Sequence, residues 1–125
     1  MIVHVGERVM TEASQPQLIP FDEVPFRPRA EGGDVAMMSV ITGADQGTEL
    51  GTGFGRLKGA KLEWTVHYDE VVLVLEGHLT VRTNAGVFEL GPKDSVWLPK
   101  GTALTYEAEE ALIFFAVHPA SAIST

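Results

Sequence analysis

Apolar positions from residue 35 onward occur in short runs that alternate with turn-forming residues every eight to twelve positions. The runs are rich in Val, Ile, Phe and Thr and too short for ordinary helices, so they predict β-strands. No segment sustains a period of about 3.6 residues. Many short strands joined by tight turns predict one all-β domain, either a sandwich or a closed barrel. The predicted strands are 35–42, 54–57, 62–66, 70–75, 78–82, 87–90, 95–98, 104–107 and 112–117.

The turn residues divide the chain into three regions. Four prolines and a glycine pair lie between residues 15 and 34, where long regular elements are not expected. The sequence therefore predicts an irregular N-terminal arm at 1–34 with a few short strand pairings. A barrel at 35–120 and a C-terminal tail at 121–125 complete the predicted organisation. The glycines between Gly51 and Gly55 lack the Lys-Ser/Thr of a phosphate loop and are better explained by bends and close approach at a barrel corner.

Composition and charge exclude several classes of partner. The formal net charge of −8 opposes binding to nucleic acid, and no apolar run approaches the roughly 20 residues that span a bilayer. Residues 1–10 include Glu7 and Arg8 and lack the continuous apolar stretch of a signal peptide. The absence of cysteine excludes disulfides and thiolate chemistry. We therefore expect a cytoplasmic protein that binds neither nucleic acid nor membrane.

Two motifs occur in the second half of the chain. They are Glu70-Val-Val-Leu-Val-Leu-Glu-Gly77 and Asp94-Ser-Val-Trp-Leu-Pro-Lys-Gly101, and about 16 residues separate them. Together they resemble the cupin superfamily, whose members adopt the jelly-roll barrel also called RmlC-like. The first segment matches the first cupin motif from its glutamate to its glycine, and the second matches the core of the second motif. The resemblance implies a single-domain double-stranded β-helix.

Three further segments narrow the match. They are Trp64-Thr-Val-His-Tyr-Asp-Glu70, a preceding Gly51-Thr-Gly-Phe54 and His118-Pro-Ala120. Together they resemble the ethanolamine-utilisation protein Q family of cupins. The similarity extends over about residues 35–120. It implies a link to ethanolamine utilisation and an acetate kinase activity that converts ATP and acetate to acetyl phosphate. In that activity Arg56, Lys58 or Lys61 would meet the phosphate charge.

The resemblance also implies where a cupin metal would bind. Metal-binding cupins take two histidines and a glutamate from the first motif and a third histidine from the second. Glu70 is present, but the second-motif position falls on Leu104. Counting back from Glu70 places the histidine pair on Trp64 and Val66. An alternative alignment, counted from Gly59, places it on Thr65 and His67.

Strand alternation chooses between these alignments. Successive side chains point to opposite faces, so Leu62, Trp64 and Val66 share one face, and their apolar character makes it the interior one. We therefore predict a pocket floored by Trp64 and Leu104 that binds no metal and no cofactor. The alternative is a degenerate metal site built from His67, Glu70 and Tyr106.

The adjacent polar residues Tyr68, Asp69 and Glu70 are the candidate catalytic groups. An inward-facing Glu70 would be desolvated, which raises the pKa of a carboxyl and suits it to acid/base work. The alternative for Glu70 is a structural carboxylate bonded to a tyrosine or arginine. Asp69 could instead cap backbone donors in a turn, and Tyr68 could be a half-buried strand residue. Tyr106 shares the face of Leu104 and is predicted to orient either a ligand or Glu70.

These residues favour a small-molecule-binding cupin with a pocket for a small polar or carboxylate ligand. Its predicted ligand-binding residues are Trp64, His67, Leu104 and Tyr106. The alternative is an enzyme of small-carboxylate metabolism with acetate-kinase-like phosphoryl transfer; a metal-dependent isomerase or oxygenase is less favoured. We also expect a homodimer that pairs through an edge strand or the N-terminal arm. Trp97 is predicted to face a second layer or a subunit interface.

Overall fold

A computed structural model describes residues 3–5, 8–10, 15–29 and 33–122. The parts of the predicted arm at 1–2, 6–7, 11–14 and 30–32, and of the predicted tail at 123–125, lie outside the described residues. The described chain is mostly antiparallel β-structure, as predicted, and forms a single domain. Its strands are β1 (Val3–Val5), β2 (Arg8–Met10), β3 (Arg27–Arg29), β4 (Gly33–Thr42), β5 (Gly51–Thr65), β6 (Asp69–Gly77), β7 (Leu79–Thr83), β8 (Gly86–Leu90), β9 (Ser95–Leu98) and β10 (Ala103–His118). Short 3-10 turns occur at Phe21–Glu23, Ala44–Gln46 and Ala120–Ala122, and no helix in the described residues is long and apolar enough to cross a bilayer.

Two long strands form the frame of the barrel. β5 has 15 residues and β10 has 16, and they pair antiparallel from Gly51 opposite Val117 to Thr65 opposite Ala103. Each contains two of the predicted strands, so the prediction of separate strands was wrong in these two places. Gly59, with φ of 59°, bends β5 without ending its pairing with β10.

The two halves of β10 belong to different layers. The C-terminal half pairs with β6, which pairs with β9, whereas the N-terminal half pairs with β7, which pairs with β8. β4 pairs with the first half of β5, and β3 pairs with β4 at the edge. The layers curve around one apolar core that includes Val66, Val72, Val74, Leu79, Val81, Leu98 and Val117. This is a jelly-roll arrangement, and it confirms the predicted fold class.

The N-terminal region contributes to the barrel. β1 and β2 form a separate antiparallel pair, and β3 joins the main sheet through β4. Phe21 packs edge-on against Phe54 of β5 at 4.9 Å between ring centroids, and against Phe26 at 5.9 Å. These contacts fasten the segment before β3 to the outer face of the sheet. The main sheet thus includes residues that precede the predicted barrel start at residue 35.

Gly53 is the position in β5 where an added side chain would come closest to neighbouring atoms. A Cβ there would lie 2.3 Å from the Ser39 carbonyl oxygen of β4 and 2.6 Å from the Phe115 ring. A Cβ at Gly59 would meet no atom within 4 Å, although its φ is positive. The close approach of β4 to β5 therefore explains why residue 53 is a glycine. The sequence predicts such a close approach for this glycine-rich segment.

We predict that Gly53→Ala lowers the free energy of unfolding by about 3 kcal/mol, because overpacking forces the backbone of β4 away. The matched variant Gly59→Ala meets only backbone strain and should cost about 1 kcal/mol. Chemical denaturation of the two variants gives both values. Equal losses would contradict the close-packing explanation.

Candidate functional site

The barrel contains a partly open cavity of about 60 Å³ between β4, β5, β6 and β10. This volume holds about four water molecules or one small organic molecule. Its wall is mostly apolar and aromatic, with few polar groups. The lining residues are Arg29, Ala36, Met37, Met38, Gly55, Leu57, Leu62, Trp64, Tyr68, Glu70, Tyr106, Ile113 and Phe115.

Strand alternation directs the inner face of β5 into this cavity. Leu62 and Trp64 line it, whereas Lys61, Glu63 and Thr65 are exposed on the opposite face. The predicted inward face of residues 62–66 is therefore confirmed. β10 lies antiparallel to this segment, with Tyr106 opposite Leu62, which brings the phenol to the same cavity.

Glu70 and Tyr106 form the polar centre of the site. Glu70 is only 6% exposed, and the Tyr106 hydroxyl donates a hydrogen bond to its Oε1 at 3.1 Å. Burial raises the pKa of Glu70 from 4.5 to about 7, partly offset by the Tyr106 hydrogen bond and the Arg29 charge. Burial, followed by the charge of Glu70, raises the pKa of Tyr106 well above its usual value. Glu70 therefore changes protonation near neutral pH and can act as donor or acceptor.

Trp64, Tyr68 and Arg29 form the other polar edge of the cavity. The guanidinium carbon of Arg29 lies 4.4 Å from the centroid of the Trp64 indole ring, and Tyr68 lines the same cavity. Burial is the main cause that raises the pKa of Tyr68, so its phenol stays protonated at neutral pH. Sequence reasoning missed Arg29, because an isolated arginine in a proline-rich stretch belongs to no periodic pattern.

Three residues predicted for the site lie outside the cavity. Asp69 is exposed and accepts a hydrogen bond from the Lys100 backbone N–H at 2.9 Å, because alternation turns it away from Glu70. Leu104 is buried in the hydrophobic core and is not part of the cavity wall. His67 is exposed, with its ring edge-on to Trp64 at 5.5 Å. The capping alternative for Asp69 matches its observed hydrogen bond.

The side chains at the cupin ligand positions do not fit a metal ion. An indole, an isopropyl and an isobutyl group stand at Trp64, Val66 and Leu104, and none of them supplies a ligand atom. Within residues 15–29 and 35–122, no three His, Cys, Asp or Glu side chains lie close enough to hold a metal. His67, on the exposed face, is not gathered with the buried Glu70. The donor set instead consists of one carboxyl, two phenols and a guanidinium.

The fold and this barrel-centred site define the protein as a cupin. An RmlC-like cupin from Shewanella frigidimarina superposes with a TM-score of 0.71 at 16% identity, covering 85% of this chain and 93% of that one. The crystal structure of an ethanolamine utilisation protein Q from Salmonella typhimurium gives a TM-score of 0.77 at 21% identity, covering 96% and 95%.

The sequence comparisons place the chain in one cupin family. The family model of the ethanolamine utilisation protein EutQ matches residues 27–124, and the chain belongs to this family. It is 32% identical over 88 residues to a protein of Escherichia coli K12 named acetate kinase EutQ. That match covers 70% of this chain but 37% of the E. coli protein, so this chain spans little more than a third of that relative.

We predict that Glu70→Gln changes the pH dependence of stability. Because the pKa of Glu70 is raised from 4.5 to about 7 in the folded state, the wild type loses on the order of 3 kcal/mol as pH rises between these values. The neutral amide still accepts the Tyr106 hydrogen bond and avoids this loss. Glu70→Gln should therefore be more stable than the wild type at pH 8 and close to it at pH 4.

The exposed Glu76 of the same strand provides the control. Urea unfolding of Glu76→Gln across pH 4–8 should follow the wild-type curve. If Glu70→Gln follows it as well, Glu70 is not a buried carboxyl with a raised pKa.

Proposed function

We propose that this protein is a small-molecule-binding cupin whose cavity takes a small polar or carboxylate-bearing ligand. The observation that carries the proposal is Glu70, a buried carboxyl at a cavity. In the described part of the chain it has a hydrogen bond to Tyr106 but no ion pair. Burying such a group lowers stability unless a partner compensates it, and perturbed carboxyls in cavities are typical of functional sites.

The cavity suits a molecule of about the size of acetate. Its volume of about 60 Å³ is that of a small site, and its apolar wall would hold a short aliphatic group. The phenols of Tyr68 and Tyr106 would donate to ligand oxygens. Glu70 would donate to an oxygen when protonated or accept from an O–H or N–H group when ionised. Trp64 would cover the ligand with its ring face.

A second candidate is acetate-kinase-like phosphoryl transfer, favoured by the name of the relatives that are 32% and 31% identical. Acetate would occupy the cavity, and the nucleotide would lie outside it, where a groove is lined by Arg29, Lys61, Leu62 and Glu63. Of the candidate catalytic residues, Glu70 and Tyr68 line the cavity and Asp69 does not. Phosphoryl transfer also needs cations around the phosphates, and Arg29 and Lys61 are the cations lining this groove.

The two tryptophans of the chain allow a direct binding test. Trp64 lines the cavity and Trp97 is 58% exposed on β9, so Trp97→Phe leaves a single indole at the site. We predict that acetate, acetamide or ethanolamine changes the Trp64 fluorescence saturably. Trp64→Phe, in which only Trp97 remains, is the matched control and should not respond.

The fluorescence titration, combined with an assay for acetyl phosphate, separates the two candidate functions. A response to small molecules without phosphate transfer from ATP and magnesium to acetate supports the binding protein. Formation of acetyl phosphate supports the enzyme. If Trp64 responds to none of these molecules, the cavity is not a small-molecule site.

We also infer a homodimer, and a cytoplasmic location stays a prediction from sequence. β9 is the last strand on its side of the main sheet. Its Trp97 lies opposite Val71 of the neighbouring strand β6, and Val71 is 42% exposed. An exposed apolar pair at a sheet edge is typical of an association surface.

We predict that light scattering gives the mass of a dimer for the wild type and of a monomer for Val71→Ser combined with Trp97→Ser. The control is Val87→Ser, because Val87 is 51% exposed on β8, away from this edge. It should remain dimeric. A monomeric wild type would contradict the inference.

A further inference from the structure

Arg29 lies at the rim of the cavity but has no part in the binding function as stated so far. Its side chain is partly buried, lines the cavity and also borders the outer groove next to Lys61. The guanidinium stacks on Trp64 at 4.4 Å. Such a stack fixes the orientation of the planar group and leaves its N–H donors at the edges free to point elsewhere.

A local irregularity directs Arg29 to this position. β3 pairs with β4 through Arg27 and Pro28 opposite Met38 and Met37, and the register then shifts between Pro28 and Arg29. A bulge of this kind re-aims the next side chain. Arg27 is exposed, whereas Arg29 turns towards the cavity.

The segment that carries β3 is also fastened at its other end. Phe21 and Phe26 pack on each other, Phe21 packs on Phe54, and Arg56 lies over the Phe26 ring at 5.1 Å. The strand that holds Arg29 therefore has a defined position on the sheet, and its cation lies where a ligand would enter.

Arg29 is the positive charge that acts on all three polar groups of the cavity. Its charge lowers the pKa of Glu70, of Tyr68 and of Tyr106, although burial outweighs it in each case. Yet among the side chains of residues 15–29 and 35–122, no carboxylate lies within ion-pair distance of the guanidinium. A guanidinium in this setting is suited to pair with a planar oxyanion through two parallel hydrogen bonds.

We propose that Arg29 is the residue that selects anionic ligands: its guanidinium, held over Trp64, pairs with the ligand carboxylate while the ligand's aliphatic part fills the cavity. The proposal rests on the proposed binding function and adds its charge selectivity. The N-terminal region, through Arg29, would thus contribute the group that distinguishes an acid from its neutral amide.

The test compares acid and amide pairs of equal size on matched variants. Calorimetric titration of acetate and propionate, and of acetamide and propionamide, is carried out on the wild type, Arg29→Met and Arg27→Met. We expect Arg29→Met to weaken acid binding at least about tenfold, because hydrogen bonds to charged groups contribute about 1.5–3 kcal/mol. Amide binding should change less than about twofold. Arg27→Met, altered at an exposed residue of the same strand that does not line the cavity, should bind all four ligands as the wild type does.

Arg29→Lys is expected to recover part of the acid affinity, because it keeps the charge and loses the planar fork. Arg29→Gln serves as the neutral variant if Arg29→Met fails to fold, as judged by thermal unfolding. Unchanged acid binding, or equal losses for acid and amide, would overturn the role of Arg29. A wild type that binds none of the four ligands would instead refute the proposed function.

Discussion

The antiparallel pairing of β5 with β10 is the constraint on which the rest of the structure depends. Both strands pass from one layer of the barrel to the other, so every other strand of the main sheet attaches to them directly or through one neighbour. The same pairing builds the site. Trp64 from β5 and Tyr106 from β10 line one cavity because their strands run side by side with a fixed register. The fold and the site therefore have a common origin in one strand pair.

Within that frame, the buried carboxyl of Glu70 is the feature that stability alone does not explain. An apolar residue of similar size would avoid the desolvation that raises its pKa to about 7. The Tyr106 hydrogen bond and the Arg29 charge compensate only in part, so the ionised form remains disfavoured. A ligand that donates to ionised Glu70, or an anion that accepts a hydrogen bond from protonated Glu70, would supply the missing compensation. The burial of Glu70 would thus lower the stability of the protein and favour the binding of a ligand at this residue.

Much of this arrangement could be predicted from residue patterns, because the patterns are local. Alternation along residues 62–70 directs Trp64 and Glu70 inward, and the two-residue spacing from Leu104 brings Tyr106 to the same side. Alternation also turns Asp69 outward, although its adjacency to Tyr68 and Glu70 made it a candidate catalytic residue. Long-range features were not predictable in the same way. The continuity of β5 and β10 depends on pairing between distant segments, and the turn of Arg29 into the cavity depends on a bulge against β4.

The family relationship sets the frame for these properties, since the chain matches the EutQ family over residues 27–124. The most direct test of the account is the pKa of the Glu70 carboxyl, measured by carbon-13 NMR in the free protein and with saturating acetate. We expect the Glu70 carboxyl to titrate near 7 in the free protein. Its pKa should rise further when the acetate anion is bound, since a second negative charge disfavours ionisation. A pKa near 4.5 that no small ligand alters would contradict it.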